Sequence, residues 1–172
     1  MTSGAEDLTL VLVGPMAAGK TSVGRRVARK LGLRFVDTDK RVVAEHGPIP
    51  EIFAAHGEPH FRDLERAAVV AAIEEGGVIS LGGGAVTDEG TRELLREQAV
   101  VYLTVTPEAV VARIAGGTRP LLAGDDPVAR WTRIFEERRH LYEEVATATF
   151  DTSRRPMQRI ADDIVTWRRE HG

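Results

Sequence analysis

Two apolar periods take turns along this chain, and their alternation predicts a β/α order. Leu8, Leu10, Val11, Leu12 and Val13 form a short run with the near-continuous apolarity of a strand buried on both faces. The run breaks at Gly14 and Pro15, and from Lys20 to Leu31 the pattern becomes helical. Arg34 to Asp39 reads as a second strand, Val78 to Leu81 as a third, Val100 to Thr104 as a fourth and Ala148 to Asp151 as a weak fifth. Residues 40–76 are helical in pattern but broken at Gly47-Pro48-Ile49-Pro50 and at Gly57-Glu58-Pro59, which predicts an excursion of short helices between strands two and three. The last of these, from about Pro59 to Glu75, has Leu64, Ala68, Ala71 and Ala72 as its packing face. Thr87-Asp88-Glu89 opens a helix to about Gln98, and Thr106-Pro107-Glu108 opens another that ends at Arg113. A long helix from Asp126 to about Ala146 turns Trp131, Ile134, Phe135, Leu141 and Tyr142 inward, and the final helix turns Ile160, Ile164 and Trp167 inward. This order predicts one α/β domain over residues 1–172, a five-stranded parallel sheet with helices on both faces.

Composition narrows the classes without naming one. The 172 residues carry a net charge of −3, which speaks against a nucleic-acid or membrane-surface partner. There are no cysteines, so disulfides, thiolate metal sites and thiol catalysis are excluded, in keeping with a reducing cytoplasm. No stretch approaches the ~20 apolar residues of a membrane span, and the polar, acidic start MTSGAED is unlike a targeting peptide.

The chemistry is concentrated where predicted strands end. Gly14-x-x-x-x-Gly19-Lys20-Thr21 is a phosphate-binding loop signature set between a strand and a helix. Small residues (Gly14, Ala17, Ala18, Gly19) let the main chain curl so that several N–H groups converge on a polyphosphate, at a helix N-terminus that attracts anions. Lys20 reaches toward the β- and γ-phosphates, and the Thr21 hydroxyl is placed to ligate Mg²⁺. Asp37 and Asp39 close the second strand; one suits the water shell of a metal and the other a substrate hydroxyl, while the alternative is that Asp39 only caps the next helix. Strand three carries no terminal carboxylate, which leaves Asp37 as the metal-side candidate. Arg62 and Glu65, three apart, share a helix face, as a solvated ion pair or as an oriented anion-binding arginine. Gly82-Gly83-Gly84 clears side chains so that a ligand can lie against the backbone, or else forms a flexible connection. Residues 116–124, with Arg119 between glycines, read as a lid bringing a cation to the transferring phosphate, or as a surface loop. Arg138 and Arg139 interrupt an apolar face, and Arg154-Arg155 at a helix start oppose the dipole, as a base-stacking pair or as a solvated one.

Taken together, these motifs resemble the shikimate kinase family over almost the whole chain. The resemblance rests on the phosphate loop, Asp37-Thr38-Asp39, Ile52-Phe53, Gly57-Glu58, Phe61-Arg62-x-x-Glu65, Leu81-Gly82-Gly83-Gly84-Ala85-Val86, Arg119-Pro120-Leu121-Leu122 and Arg138-x-x-Leu141-Tyr142. It implies a P-loop kinase three-layer fold like that of nucleoside monophosphate kinases, strand order 2-3-1-4-5, an excursion over about 40–76 that binds substrate and a lid over about 114–124. It implies phosphorylation of the 3-hydroxyl of shikimate by ATP with Mg²⁺, in the route to the aromatic amino acids, by a cytoplasmic monomer. Under it Lys20, Asp39 and Arg119 are catalytic. Gly14, Ala17, Ala18, Gly19, Lys20, Thr21, Ser22, Arg113, Arg119 and Arg155 bind ATP. Asp39, Phe53, Phe61, Arg62, Glu65, Gly82, Gly83, Gly84 and Arg138 bind the acid substrate, and Thr21 with Asp37, through water, holds the metal. The sequence departs from the family at Ala18, where a glycine is frequent, at Pro48 and Pro50, and in a lid about one residue short between Arg113 and Arg119.

Overall fold

The computed structural model describes residues 9–115 and 126–172. Its centre is strand β1 (Leu10–Val13), whose four side chains are all buried. A strand buried on both faces must be apolar throughout, and burying each such side chain contributes roughly 1.5–3 kcal/mol. Around it run β2 (Phe35–Asp37), β3 (Val78–Ser80), β4 (Ala99–Thr104) and β5 (Ala148–Asp151), in the order β2-β3-β1-β4-β5. All four ladders are parallel; Leu10 sits opposite Val78 on one side and Ala99 on the other. With β1 central and its neighbours reached in opposite directions, the loop after β1 opens into the crevice at the switch point where such sheets bind ligands.

The helices are α1 (Lys20–Leu31), α2 (Thr38–His46), α3 (Ile49–His56), α4 (Glu58–Glu75), α5 (Glu89–Leu95), α6 (Pro107–Ala115), α7 (Pro127–Val145) and α8 (Met157–His171). They pack on both faces of the sheet, and a short 3₁₀ turn (Ala85–Thr87) follows the glycine triplet. One apolar cluster joins the sheet to α1, α7 and α8. A second, smaller one holds the excursion together through Val42, Ile52, Phe61 and Ala68, with Ile49, Phe53 and Leu64 beside them.

Several boundaries differ from the sequence reading. The second strand stops at Asp37, two residues early, because the Asp37 carboxylate caps α2 by accepting the Lys40 N–H at 3.2 Å. Asp39 is therefore a first-turn helical residue, and the predicted capping alternative belongs to Asp37. Helix α6 continues two residues past Arg113. Trp167 is only half-buried, edge-on to Phe150 at 6.5 Å. On α4 the buried face is Phe61, Glu65, Ala68, Val69 and Ala72, so a carboxylate occupies a core-facing position where the periodicity placed Leu64 and Ala71.

Candidate active site

The loop from Gly14 to Gly19 has the conformation its small residues anticipate. Gly14 has φ +151° and a Cβ there would lie 2.4 Å from the Leu103 carbonyl, so no side chain fits. Gly19, the N-cap of α1, has φ +93°. Ala17 adopts a left-handed φ of +69°, which costs an L-residue roughly 1–2 kcal/mol. The surrounding structure holds that strain in place. Trp131 on α7 donates its indole N–H to the Met16 carbonyl at 2.7 Å. Arg113 on α6 donates to the Ala17 carbonyl at 2.5 Å, and Thr152 after β5 donates to the Ala18 carbonyl at 2.7 Å. Arg113 also bonds to the Thr152 carbonyl, which ties the loop, α6 and the end of β5 together. Lys20 turns its ammonium back onto the Gly14 and Pro15 carbonyls, at 2.6 and 3.1 Å. Burial pulls the Lys20 pKa down to about 8, with Arg138 adding to the effect, against the opposing pull of Asp39 and Asp37.

The acidic side of the site is assembled from three elements. Asp39 (α2) and Glu65 (α4) bring their carboxyl groups into hydrogen-bonding contact. Glu65 is 1% exposed and accepts from Arg62 Nη1 at 2.8 Å. Burial, reinforced by Asp39 and resisted by Arg62, raises the Glu65 pKa to about 7. Burial and the neighbouring Asp37 likewise raise Asp39, while Glu65, Lys20 and Arg62 pull it back. Burial works against the Arg62 charge, and the Glu65 and Glu58 carboxylates overcome it. Glu58 reaches Arg62 Nη2 at 3.2 Å, the guanidinium lies over the Phe61 ring, and its buried Nε has no hydrogen-bond partner among the described residues. Phe53 and Phe61 form an apolar wall with ring centroids 5.1 Å apart.

The glycine triplet meets both halves of the site. A Cβ on Gly82 would fall 2.4 Å from the Asp39 carboxylate, and one on Gly84 would fall 2.5 Å from Arg62 Nη2. These glycines thus clear space for the protein's own acid and guanidinium, a sharper reason than the room for ligand that the sequence suggested. At Gly83 a Cβ would sit 3.6 Å from the Gly14 carbonyl and the Met16 N–H nitrogen, so the triplet abuts the phosphate loop. Its 83 carbonyl accepts from the Tyr142 hydroxyl at 2.5 Å.

Most of the residues singled out in the sequence therefore meet: Lys20, Asp37, Asp39, Arg62, Glu65, Gly82, Gly84 and Arg138 lie within contact or Coulomb range of one another. Arg119 and the lid beyond Ala115 lie outside the described residues. The Ser22 hydroxyl accepts from Arg26 at 2.6 Å, and Arg155 is paired with Asp163 on the exposed side of α8. The apolar pattern marks Trp131 and Tyr142 as core residues; their polar atoms reach the site across 115 and 59 residues. Nothing in the sequence pattern marks Glu58 as a partner of Arg62.

A hard divalent cation that keeps most of its waters needs few protein oxygens. Thr21 at the head of α1 and Asp37 at the end of β2 supply a hydroxyl and a carboxylate, and only one Asp37 oxygen is engaged in capping, so the donor set fits such an ion.

The Glu65 shift sets one contribution to how stability depends on pH. A native pKa near 7 against an ordinary 4.5 means the folded protein holds the proton more tightly. The stability this contributes is complete below pH 4.5 and is lost as the pH rises through about 7. Glu65→Gln is expected to flatten that loss, which denaturant melts at pH 4.5 and pH 8 measure; parallel pH profiles for the two proteins would remove Glu65 as the cause.

A phosphate loop at the switch point of a five-stranded parallel sheet, faced by a carboxylate pair and two arginines, defines a small-molecule phosphotransferase. The shikimate kinase family model matches residues 16–169. The shikimate kinase of Corynebacterium efficiens is 47% identical over 158 residues, covering 91% of this chain and 94% of its own. That of Streptomyces coelicolor is 47% identical over 154 residues, covering 88% and 90%. Among solved structures, the shikimate kinase of Acinetobacter baumannii in complex with shikimate superposes with a TM-score of 0.86 at 35% identity, covering 96% of each chain. A gluconokinase from Sinorhizobium meliloti shares the fold, with a TM-score of 0.63 at 19% identity and coverage of 96% of this chain and 93% of its own. The chain belongs to the shikimate kinase family, enzymes that transfer the terminal phosphoryl group of ATP to shikimate.

Proposed function

We propose that this chain phosphorylates the 3-hydroxyl of shikimate with the residues assembled around the glycine triplet. Arg62 and Arg138 clamp the substrate carboxylate, with Glu65 holding the Arg62 fork in place. Gly82, Gly83 and Gly84 with Phe53 and Phe61 wall the ring, and Asp39 orients the attacking hydroxyl and takes its proton. The hydroxyl oxygen forms its bond to the γ-phosphorus as the bond from that phosphorus to the β–γ bridging oxygen breaks, and ADP leaves. The backbone of Gly14, Ala17, Ala18 and Gly19, with Ser22, cradles the nucleotide; Lys20 and Arg119 neutralise the transferring charge; Arg113 and Arg155 flank the adenine. Thr21 and, through water, Asp37 would hold a Mg²⁺ ion that draws charge from the phosphate oxygens. Residues 1–172 act as one domain, with the excursion over about 40–76 and the lid over about 114–124, in a cytoplasmic monomer. No described helix is long and apolar enough to cross a membrane.

The observation that carries this reading is the double role of the triplet. One three-residue segment packs against the candidate base at Gly82, the candidate anion clamp at Gly84 and the phosphate loop at Gly83. An acid alcohol held there has its hydroxyl and the terminal phosphate on the same short stretch of backbone, and such positioning is the main resource of phosphoryl transfer. The test is ADP release with shikimate, gluconate, other cyclitols and nucleoside monophosphates, with turnover expected for shikimate. Arg62→Ala removes a charge-assisted contact worth about 1.5–3 kcal/mol and is expected to raise KM for shikimate roughly 10- to 100-fold, with the KM for ATP little changed. An unchanged KM for the acid would remove Arg62 from the clamp.

A further inference from the structure

Helix α7 has one face, Trp131, Phe135, Arg138, Tyr142 and Val145, at spacings of three and four residues that bring all five side chains to the same side. Four of these are aromatic or aliphatic, and Trp131, Phe135, Tyr142 and Val145 are buried. The pattern alone describes a helix packed on a sheet. Tyr142 does more than pack. Its ring is 1% exposed and stacks on Tyr102, with centroids 5.3 Å apart. Its hydroxyl donates to the Gly83 carbonyl at 2.5 Å, and the Arg138 guanidinium one turn earlier lies close enough to act on it electrostatically.

The choice of carbonyl is informative. The 3₁₀ turn that follows the triplet uses the Gly82 carbonyl, which accepts the Ala85 N–H at 3.1 Å, and the Gly84 carbonyl, which accepts the Thr87 N–H at 3.1 Å and the Thr87 hydroxyl at 2.7 Å. The middle carbonyl takes no part in the turn and is held from α7 instead. A trans peptide points its N–H opposite to its C=O, so anchoring the Gly83 carbonyl also fixes the direction of the Gly84 N–H. Three glycines in a row have the least conformational restraint of any backbone segment, so an external tether has the most to contribute here. The tether lies within the site: Gly83 abuts the phosphate loop at Gly14 and Met16, and the neighbouring Arg138 is close enough to Lys20 to lower its pKa.

We propose that Tyr142 is a positioning residue for phosphoryl transfer, its hydroxyl fixing the Gly83 peptide beside Arg138 so that the bound acid meets the phosphate loop in register. It acts not on the nucleotide or the reacting atoms but through the Gly83 peptide it holds. The inference rests on the assignment of Arg138 and the glycine triplet to the acid substrate made above.

The test is steady-state kinetics of Tyr142→Phe beside Tyr102→Phe and Arg62→Ala. The phenylalanine keeps the stacked ring and removes only the hydroxyl. Tyr142→Phe is expected to raise KM for shikimate about tenfold and to lower kcat several-fold, with the KM for ATP within twofold. A residue that served packing alone would move neither constant selectively. Tyr102→Phe removes a neighbouring hydroxyl that bonds Thr104 at 3.3 Å, away from the triplet, and is expected to leave all three constants unchanged. A shikimate KM within twofold of the parent in Tyr142→Phe, while Arg62→Ala still raises it, overturns the positioning role and leaves the acid site standing. No effect from either variant overturns the acid site itself. If Tyr142→Phe does not fold, Tyr102→Phe protein, in which Tyr142 is the remaining tyrosine, is grown with 3-fluorotyrosine so that ring and hydroxyl both stay. Saturating shikimate is expected to shift its fluorine resonance and gluconate to leave it in place; a resonance unmoved by shikimate overturns the proposal.

Discussion

Replacing Asp39 by asparagine is expected to lower kcat about a thousandfold while raising the melting temperature of the ligand-free protein. The two effects have one cause. Asp39 is a partly buried carboxyl held against Glu65, and burial first, then the nearby Asp37, raise its proton affinity against the opposing pull of Glu65, Lys20 and Arg62. A raised pKa makes it a better proton acceptor from an alcohol, and positioned general bases typically contribute 10²- to 10⁴-fold. The same crowding costs stability, because two carboxyl groups in a desolvated site cannot both ionise freely. Asparagine keeps the shape and one acceptor, removes the charge, and should also let the Glu65 pKa fall, since Asp39 is one of the groups raising it. Sites that trade stability for reactivity behave in this way when their charged groups are neutralised. Steady-state kinetics and thermal melts of the same preparation decide it. A kcat within tenfold of the parent would remove Asp39 from proton transfer, and a lowered melting temperature would show that the carboxyl pair is net stabilising.

How much of this site the sequence revealed depended on how local each part is. The phosphate loop was legible because its spacing is dictated within eight residues by backbone geometry, although nothing in the letters announced that Ala17 would take the left-handed conformation. The strand order agrees with what the family resemblance implied, and it places the ends of β1, β2 and β3 side by side. Asp39 reads as chemistry but as the end of a strand, because alternation cannot show that Asp37 caps a helix at that point. Glu65 was visible as the partner of Arg62 three residues away, yet its burial was not. A carboxylate counts as polar in any periodicity, and only tertiary packing supplies the arginine and the acid that make burial tolerable. Arg154-Arg155 looked costly at a helix start; Asp163, two turns along α8, supplies Arg155 with a partner that dipole reasoning did not include. The tethers from Trp131 and Tyr142 were illegible for a different reason. An aromatic residue on a helix face reads as core, and which backbone carbonyl its polar atom meets is decided by contacts far apart in the chain.

Lys20→Met should abolish most turnover, with kcat lowered by about three orders of magnitude, and leave the ligand-free fold nearly as stable as before. Methionine matches the length of the lysine stem and removes the ammonium. Neutralising charge on a transferring phosphoryl group in a partly desolvated site is among the largest contributions a single side chain makes, commonly 10²- to 10³-fold, with weakened nucleotide binding in addition. Stability is a contest of two terms. The ammonium now bonds to the Gly14 and Pro15 carbonyls, and charged hydrogen bonds of this kind contribute about 1.5–3 kcal/mol. Against that, a pKa lowered to about 8 means that keeping the charge at neutral pH costs a comparable amount; stability from this group is complete above pH 10.5 and is lost as the pH falls through about 8. The terms nearly cancel, so the melting temperature without ligand is expected to stay within a few degrees. The nucleotide then makes the difference: saturating ATP stabilises the parent in proportion to the logarithm of its concentration over Kd, and that increment should shrink sharply in the methionine variant. Melts with and without ATP, read beside kcat, separate the two roles of Lys20. An unchanged ATP-induced shift would mean that the loop backbone alone binds the triphosphate and that Lys20 acts only as the phosphoryl group moves.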